Sequence, residues 1–124
     1  MGNPPRRVLL VDDDEAILES VRCALLERGY QVVVARDGAE ALACAERDAP
    51  DLILLDVVMP KRSGLTVLDR LRSRQSGAPP VIMMTANEAQ KQRDFATSRG
   101  VAAFISKPFE MEHLLAAVDA ALQA

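Results

Sequence analysis

Five short, nearly continuous apolar runs punctuate the chain: RVLLV (7–11), QVVVA (31–35), DLILL (51–55), PVIMM (80–84) and AAFIS (102–106). Continuous rather than alternating hydrophobicity marks strands covered on both faces, as in a parallel sheet. The stretches between them repeat at helical spacing. Ile17, Val21 and Leu25 line one face of the first, which should stop at Gly29, a residue suited to the position just past a helix end. Asp37 can cap the second, whose small face includes Ala41, Leu42 and Ala45. Leu65, Leu68 and Leu71, with Val67 alongside, mark the third, and Leu114, Leu115, Val118 and Leu122 mark the last. The segment 87–100 has sparse anchors, Ala89, Phe95 and Ala96, and is expected to be the least firmly held helix.

Strand and helix alternate five times, with short connections, no repeat and no low-complexity linker. The pattern predicts one α/β domain over 7–124, built on a central five-stranded parallel sheet, with 1–6 as a flexible lead-in. Such folds bind ligands beyond the carboxyl ends of their strands.

Composition adjusts this picture only slightly. Hydrophobic residues make up 49% of the 124 residues but aromatics only 3%, so aliphatic side chains must form the core. A net charge of −3 argues against direct nucleic-acid binding, which favours a basic stripe. No apolar run approaches the roughly 18 residues of a membrane span, and no apolar segment follows MGNPPRR as a secretory signal requires. A cytoplasmic location is the expectation. Cys23 and Cys44 fit a reducing compartment and are read as bystanders on helices, away from the main apolar stripes.

The strand ends carry the chemistry. Asp12, Asp13 and Asp14 stand at the end of the first strand and Asp56 at the end of the third; Thr85 closes the fourth, and Lys107 follows the fifth. Each has an ordinary structural explanation: an aspartate after a strand often caps a helix, a threonine suits a strand, and Pro60 and Gly64 suit a turn. Those explanations do not predict acid, acid, hydroxyl and amine along one edge. The set suits phosphoryl transfer to a carboxylate. Converging carboxylates repel, and a hard dication with oxygen ligands relieves them. Aspartate can act as the nucleophile, and amine, hydroxyl and backbone N–H groups stabilise the added phosphoryl oxygens.

VLLVDDDEAI, DLILLDVVMPKRSGLTVL, VIMMTA and AFISKPF together resemble the receiver domain of two-component response regulators, over residues 6–124. The resemblance implies a flavodoxin-like (βα)5 fold with strand order 2-1-3-4-5 and helices on both faces. It implies that Asp56 accepts the phosphoryl group, and that Asp13 binds Mg²⁺ directly, Asp12 through water and Val58 through its backbone carbonyl. Lys107 is the lysine that pairs with the carboxylates and then with the phosphoryl group. Thr85 is the hydroxyl that moves to the phosphate, Phe104 the switch aromatic that turns inward, and the Lys107–Pro108 bond is cis. The implied donor is a histidine kinase or a histidine phosphotransfer protein, with acetyl phosphate as a small substitute. The implied output is a changed face made by the 87–100 helix, the fifth strand and the last helix. That face meets a downstream protein or an attached output domain, and it can support a phosphorylation-dependent dimer. Such a domain is a signalling module rather than an enzyme, promoting only its own phosphorylation and dephosphorylation.

Two alternatives are weighed against this. A haloacid-dehalogenase-like phosphatase would use Asp12 and Asp14 with Thr85 and Lys107, but the residues after Asp14 do not fit and Asp56 is left unexplained. A receiver-like binding module that takes no phosphate would not need the complete set of site residues. Lys61 and Arg62 read as solvated charges, and His113 stands at the start of the last helix, away from the strand ends. Asp14 is expected at or next to the cap of the first helix, leaving Asp12 and Asp13 for the pocket beside Asp56.

Overall fold

The computed structural model describes residues 4–57, 63–74, 79–85, 94, 97 and 100–123, with the backbone alone for 72–74. Five strands, β1 (Arg7–Val11), β2 (Gln31–Ala35), β3 (Leu52–Asp56), β4 (Val81–Thr85) and β5 (Ala103–Ser106), form one parallel sheet in the order β2-β1-β3-β4-β5. Four helices are described: α1 (Glu15–Glu27), α2 (Gly38–Asp48), α3 (Gly64–Arg74) and α4 (Met111–Gln123), the last in the chain. The helix expected at 87–100 lies almost wholly outside the described residues.

Period-two alternation along the central strands divides the core into two layers. Leu9, Val11, Ile53, Leu55, Val81 and Met83 face one way and pack with α2 and α3. Val8, Leu10, Leu52, Leu54, Ile82 and Met84 face the other way and pack with α1 and α4. Every residue of β3 and β4 is buried, whereas the edge strands β2 and β5 are mostly half-buried. Continuous apolar runs are therefore what a two-sided sheet demands of its inner strands.

Local chemistry sets the helix ends. Asp14 caps α1, its carboxylate accepting the N–H groups of Ala16 and Ile17, and Asp37 caps α2 by accepting from Glu40. Gly29, at φ 90°, ends α1: its N–H donates to the Leu26 carbonyl and the Tyr30 N–H to that of Leu25, the paired bonds of a Schellman turn. Asp56 and Thr85 close β3 and β4 as the sequence suggests, and their backbones continue the ladder beyond the apolar runs. One expectation needs correction. Cys44 is no bystander: it is buried beside Ala41 and Leu42 in the α2/α3 layer, while Cys23 is exposed.

A polar tie holds α4 to the α1–β2 turn. Asp119 accepts hydrogen bonds from the Tyr30 phenol and the Arg28 guanidinium, and Glu112 lies 3.8 Å from Arg28. Burial, then the Asp119 hydrogen bond and charge, push the Tyr30 pKa up to about 12 from 10.0. The neutral phenol is thus favoured in the folded state. Its stabilising contribution is whole below pH ~10, where the unfolded phenol is also neutral, and is lost as pH rises towards the folded value. The chain has one tyrosine and no tryptophan. An ultraviolet titration should therefore give a single phenolate transition with its midpoint close to 12, and Asp119→Asn should lower it. A midpoint at the ordinary value in the folded protein would show that the tie is not made.

Candidate functional site

The carboxyl ends of β1, β3, β4 and β5 meet at one edge of the sheet. Asp12 continues β1, its N–H donating to the Ala35 carbonyl at 3.2 Å. Its side chain is fully buried and both oxygens are engaged: Oδ1 accepts the Asp14 N–H at 3.0 Å, and Oδ2 accepts Lys107 Nζ at 2.6 Å. Asp56 closes β3, 4% exposed, with Oδ1 3.4 Å from the same ammonium. Asp13 is exposed and completes a triad: one carboxylate oxygen each from Asp12, Asp13 and Asp56 lie within 4.8 Å of one another. Asp14 turns away to its capping role.

Lys107 is the cation of this cluster. Burial alone would lower its pKa and is the largest single influence, but the Asp12 hydrogen bond and the charges of Asp56 and Asp12 outweigh it and hold the pKa above the ordinary lysine value. The ammonium therefore stays charged where it bridges two carboxylates. Backbone geometry fixes its position, since the Lys107 N–H donates to the Thr85 carbonyl at 2.8 Å just past the β4–β5 ladder. Thr85 is fully buried at the end of β4. Phe104 lies on β5 opposite Met83, half-buried against the α2/α3 layer. The Lys107–Pro108 peptide bond is cis, as the resemblance implies. Val58, Lys61, Arg62 and Pro60 lie outside the described residues.

The chain leaving Asp56 passes close under α3. The Val57 N–H donates to the Met84 carbonyl at 2.9 Å, and the Val57 carbonyl accepts from the Gly64 N–H at 2.7 Å. A Cβ on Gly64 would lie 2.0 Å from the Asp56 carbonyl oxygen. Ser63 supports the same turn, its hydroxyl accepting from the Leu65 N–H at 3.1 Å. The sequence suggested Gly64 only as a turn residue; that it buttresses the peptide of Asp56 emerges from the fold. Also unannounced is an ion pair at the β2 side of the site, where the Arg36 guanidinium bonds Glu15. Those residues are 21 apart in sequence, with no local signal linking them.

The arrangement is an acidic, all-oxygen cluster with one fixed ammonium, and the buried Thr85 ends the adjoining strand. Hard dications prefer such a donor set, and the three carboxylates could hold a metal ion. The Asp12/Asp14 partnership that a phosphatase of the dehalogenase type needs is not made, because Asp14 is committed to the α1 cap.

Fold and cleft together define a receiver-type α/β signalling domain. Residues 8–119 match the response regulator receiver domain model, and the chain belongs to that family. Among curated relatives, response regulator MprA of Mycobacterium leprae is 42% identical over 117 residues, covering 94% of this chain and 51% of its own length. The protein of the same name from Mycolicibacterium vanbaalenii is 41% identical over 119 residues, covering 96% and 51%. The chain thus spans about half the length of the curated relatives it matches. A solved CheY-like response regulator receiver domain protein from Methanospirillum hungatei superposes with a TM-score of 0.91 at 32% identity, covering 96% of this chain and 94% of that one. The chemotaxis response regulator CheY4 of Vibrio cholerae gives 0.87 at 33%, covering 95% and 99%. No described helix is long and apolar enough to cross a membrane.

Proposed function

We propose that this domain accepts a phosphoryl group on Asp56 from the phosphohistidine of a histidine kinase or a histidine phosphotransfer protein. The observation that carries this reading is the Lys107 ammonium, bridging Asp12 at 2.6 Å and Asp56 at 3.4 Å beside the three converging carboxylates. In the transfer, an Asp56 carboxylate oxygen forms a bond to phosphorus as the P–N bond breaks. The electron pair stays on the imidazole nitrogen, which takes up a proton.

Asp13 and Asp56 would hold Mg²⁺ directly and Asp12 through water, with the Val58 carbonyl as a further donor. Bound there, the dication supplies positive charge that offsets carboxylate repulsion and developing phosphoryl charge. Lys107 is already charged and placed, so it can exchange Asp56 for a phosphoryl oxygen without a change of protonation. Thr85 offers a hydroxyl from the adjoining strand end. Its movement, followed by Phe104, would reshape the face formed by the 87–100 segment, β5 and α4, where a downstream protein or an attached output domain docks.

Labelling with acetyl phosphate tests the reading. Wild type with Mg²⁺ should gain one phosphoryl group, while the same protein with chelator and Asp56→Asn with Mg²⁺ should gain none. Equal labelling of wild type and Asp56→Asn would overturn the assignment of the acceptor.

A further inference from the structure

The Arg36–Glu15 pair has no part in the proposed transfer, yet it stands at the rim of the cleft. Glu15 is the first residue of α1, directly after the Asp13–Asp14 turn. Arg36 follows Ala35, whose carbonyl accepts the Asp12 N–H at 3.2 Å, so its backbone adjoins the strand end that carries the acids. The guanidinium meets Glu15 side-on: Nε donates to Oε1, and Nη2 lies 3.4 Å from Oε2. In the strand order Lys107 follows β5 on one side of the acids, and Arg36 follows β2 on the other.

Charge makes the position consequential. At the described strand ends, Lys107 and Arg36 face Asp12, Asp13, Asp14, Asp56 and Asp37 as well as Glu15. Lys107 is already engaged by two buried acids. A phosphodonor arrives as an anion and meets this excess of negative charge. Arg36, in contrast, is held by an exposed partner: the side chains of the pair are 54% and 68% exposed. Exposed ion pairs contribute little to stability, so this one opens at small cost. A guanidinium exchanges one two-oxygen anion for another with its geometry unchanged.

We infer that Arg36 is a donor-recognition residue: it leaves Glu15 to meet the oxygens of an incoming acyl phosphate or phosphohistidine at the mouth of the cleft. The inference rests on the phosphoacceptor reading of Asp56. Strand β2 stands two places from β3 in the sheet, about 10 Å at ordinary interstrand spacing. Arg36 therefore acts on the approaching donor and not on phosphorus during transfer. Its effect belongs to the encounter, in kcat/KM, and not to the rate at saturating donor.

Acetyl phosphate is the probe. Its transfer is balanced: an Asp56 oxygen bonds phosphorus as the P–O bond to acetate breaks, and acetate leaves with the electron pair. Through water, one unit charge acting on a dianion about 10 Å away changes the encounter roughly three- to fourfold. With Mg²⁺ at low ionic strength, Arg36→Gln should lower the second-order labelling rate by about that factor and Glu15→Gln should raise it similarly. Both differences should shrink at 0.5 M salt, roughly a 4 Å screening length. Arg36→Lys keeps the charge without the two-point geometry and should fall between wild type and Arg36→Gln, whereas the saturated rate should be the same in all of them. Arg22→Gln makes the same charge change at the exposed Arg22–Glu19 pair farther along α1, and should leave the rate unchanged. A fall in Arg36→Gln that persists at high salt, or that appears in the saturated rate, overturns the inference. So does an Arg36→Gln rate equal to that of Arg22→Gln, or a Glu15→Gln rate no higher than wild type. An unlabelled wild type instead overturns the phosphoacceptor reading, and this inference with it.

Discussion

Gly64→Ala is expected to lower the melting temperature by roughly 10 °C and to suppress phosphorylation of Asp56 in the protein that remains folded. The added methyl would lie 2.0 Å from the Asp56 carbonyl oxygen, 2.8 Å from its carbon and 2.9 Å from the Val57 Cα. These are backbone atoms, so no side chain can swing aside. Either the start of α3 lifts, losing the 2.7 Å bond from the Gly64 N–H to the Val57 carbonyl, or the end of β3 shifts. Overpacking of this kind costs about 1–3 kcal/mol, which for a domain of this size converts to several degrees per kcal/mol. The functional loss has the same origin, since the peptide displaced is that of the acceptor itself. Thermal unfolding and acetyl-phosphate labelling of Gly64→Ala, with Ser63→Ala for comparison, measure both effects. Unchanged melting and labelling would mean that the turn relaxes freely.

The second large effect carries the opposite sign. Asp13→Asn is expected to stabilise the metal-free protein while removing its response to Mg²⁺. Asp13 is exposed, and among the described residues its side chain makes no hydrogen bond or ion pair, yet its oxygen lies within 4.8 Å of those of Asp12 and Asp56. Without a dication it adds a third negative charge beside Asp12 and Asp56. With Mg²⁺ at ten times its dissociation constant, wild type should gain about 1.4 kcal/mol from binding linkage, and the variant, short of a ligand, should gain almost none. Melting curves with and without Mg²⁺ should therefore cross: the variant unfolds later than wild type in chelator, and the gap narrows or reverses in Mg²⁺. Asp12→Asn differs, because it also strips the buried partner from Lys107. Equal Mg²⁺ shifts in wild type and Asp13→Asn would remove Asp13 from the metal site.

Most of the architecture was legible because inner strands of a two-sided sheet must be apolar throughout, and RVLLV, LILL and VIMM have little else they can be. Helix ends were legible where one residue does the work, as with Asp14, Asp37 and Gly29. Asp56 and Thr85 were legible as strand ends because each closes an apolar run, and a polar last rung still completes the ladder through its backbone. Cys44 was misjudged because its thiol packs as a small apolar group once α2 is laid on the sheet. In the site, composition and order pointed to the residues, but only the fold shows that Lys107 sits nearer to Asp12 than to Asp56. The pairing of Tyr30 with Asp119, 89 residues away, and of Arg36 with Glu15 is set by tertiary placement and leaves no local pattern to read.

The flanks of β3 have a consequence for how the chain finds its alignment. A strand that is apolar on both faces tolerates a one-residue slip as far as greasy packing is concerned, because LILL offers a hydrophobic group to either layer in either frame. The acids at its two ends do not tolerate it. Asp51 exchanges both backbone and side-chain bonds with Arg7, its N–H donating to the Arg7 carbonyl at 2.7 Å and its Oδ2 accepting the Arg7 N–H at 2.8 Å. At the other end Asp56 stands where the sheet opens. A slip in one direction would draw Asp51 into the dry interior, and a slip in the other would draw in Asp56. The two aspartates thus work as end-stops, and the carboxylate read here as the phosphoryl acceptor also helps the central strand settle in a single frame.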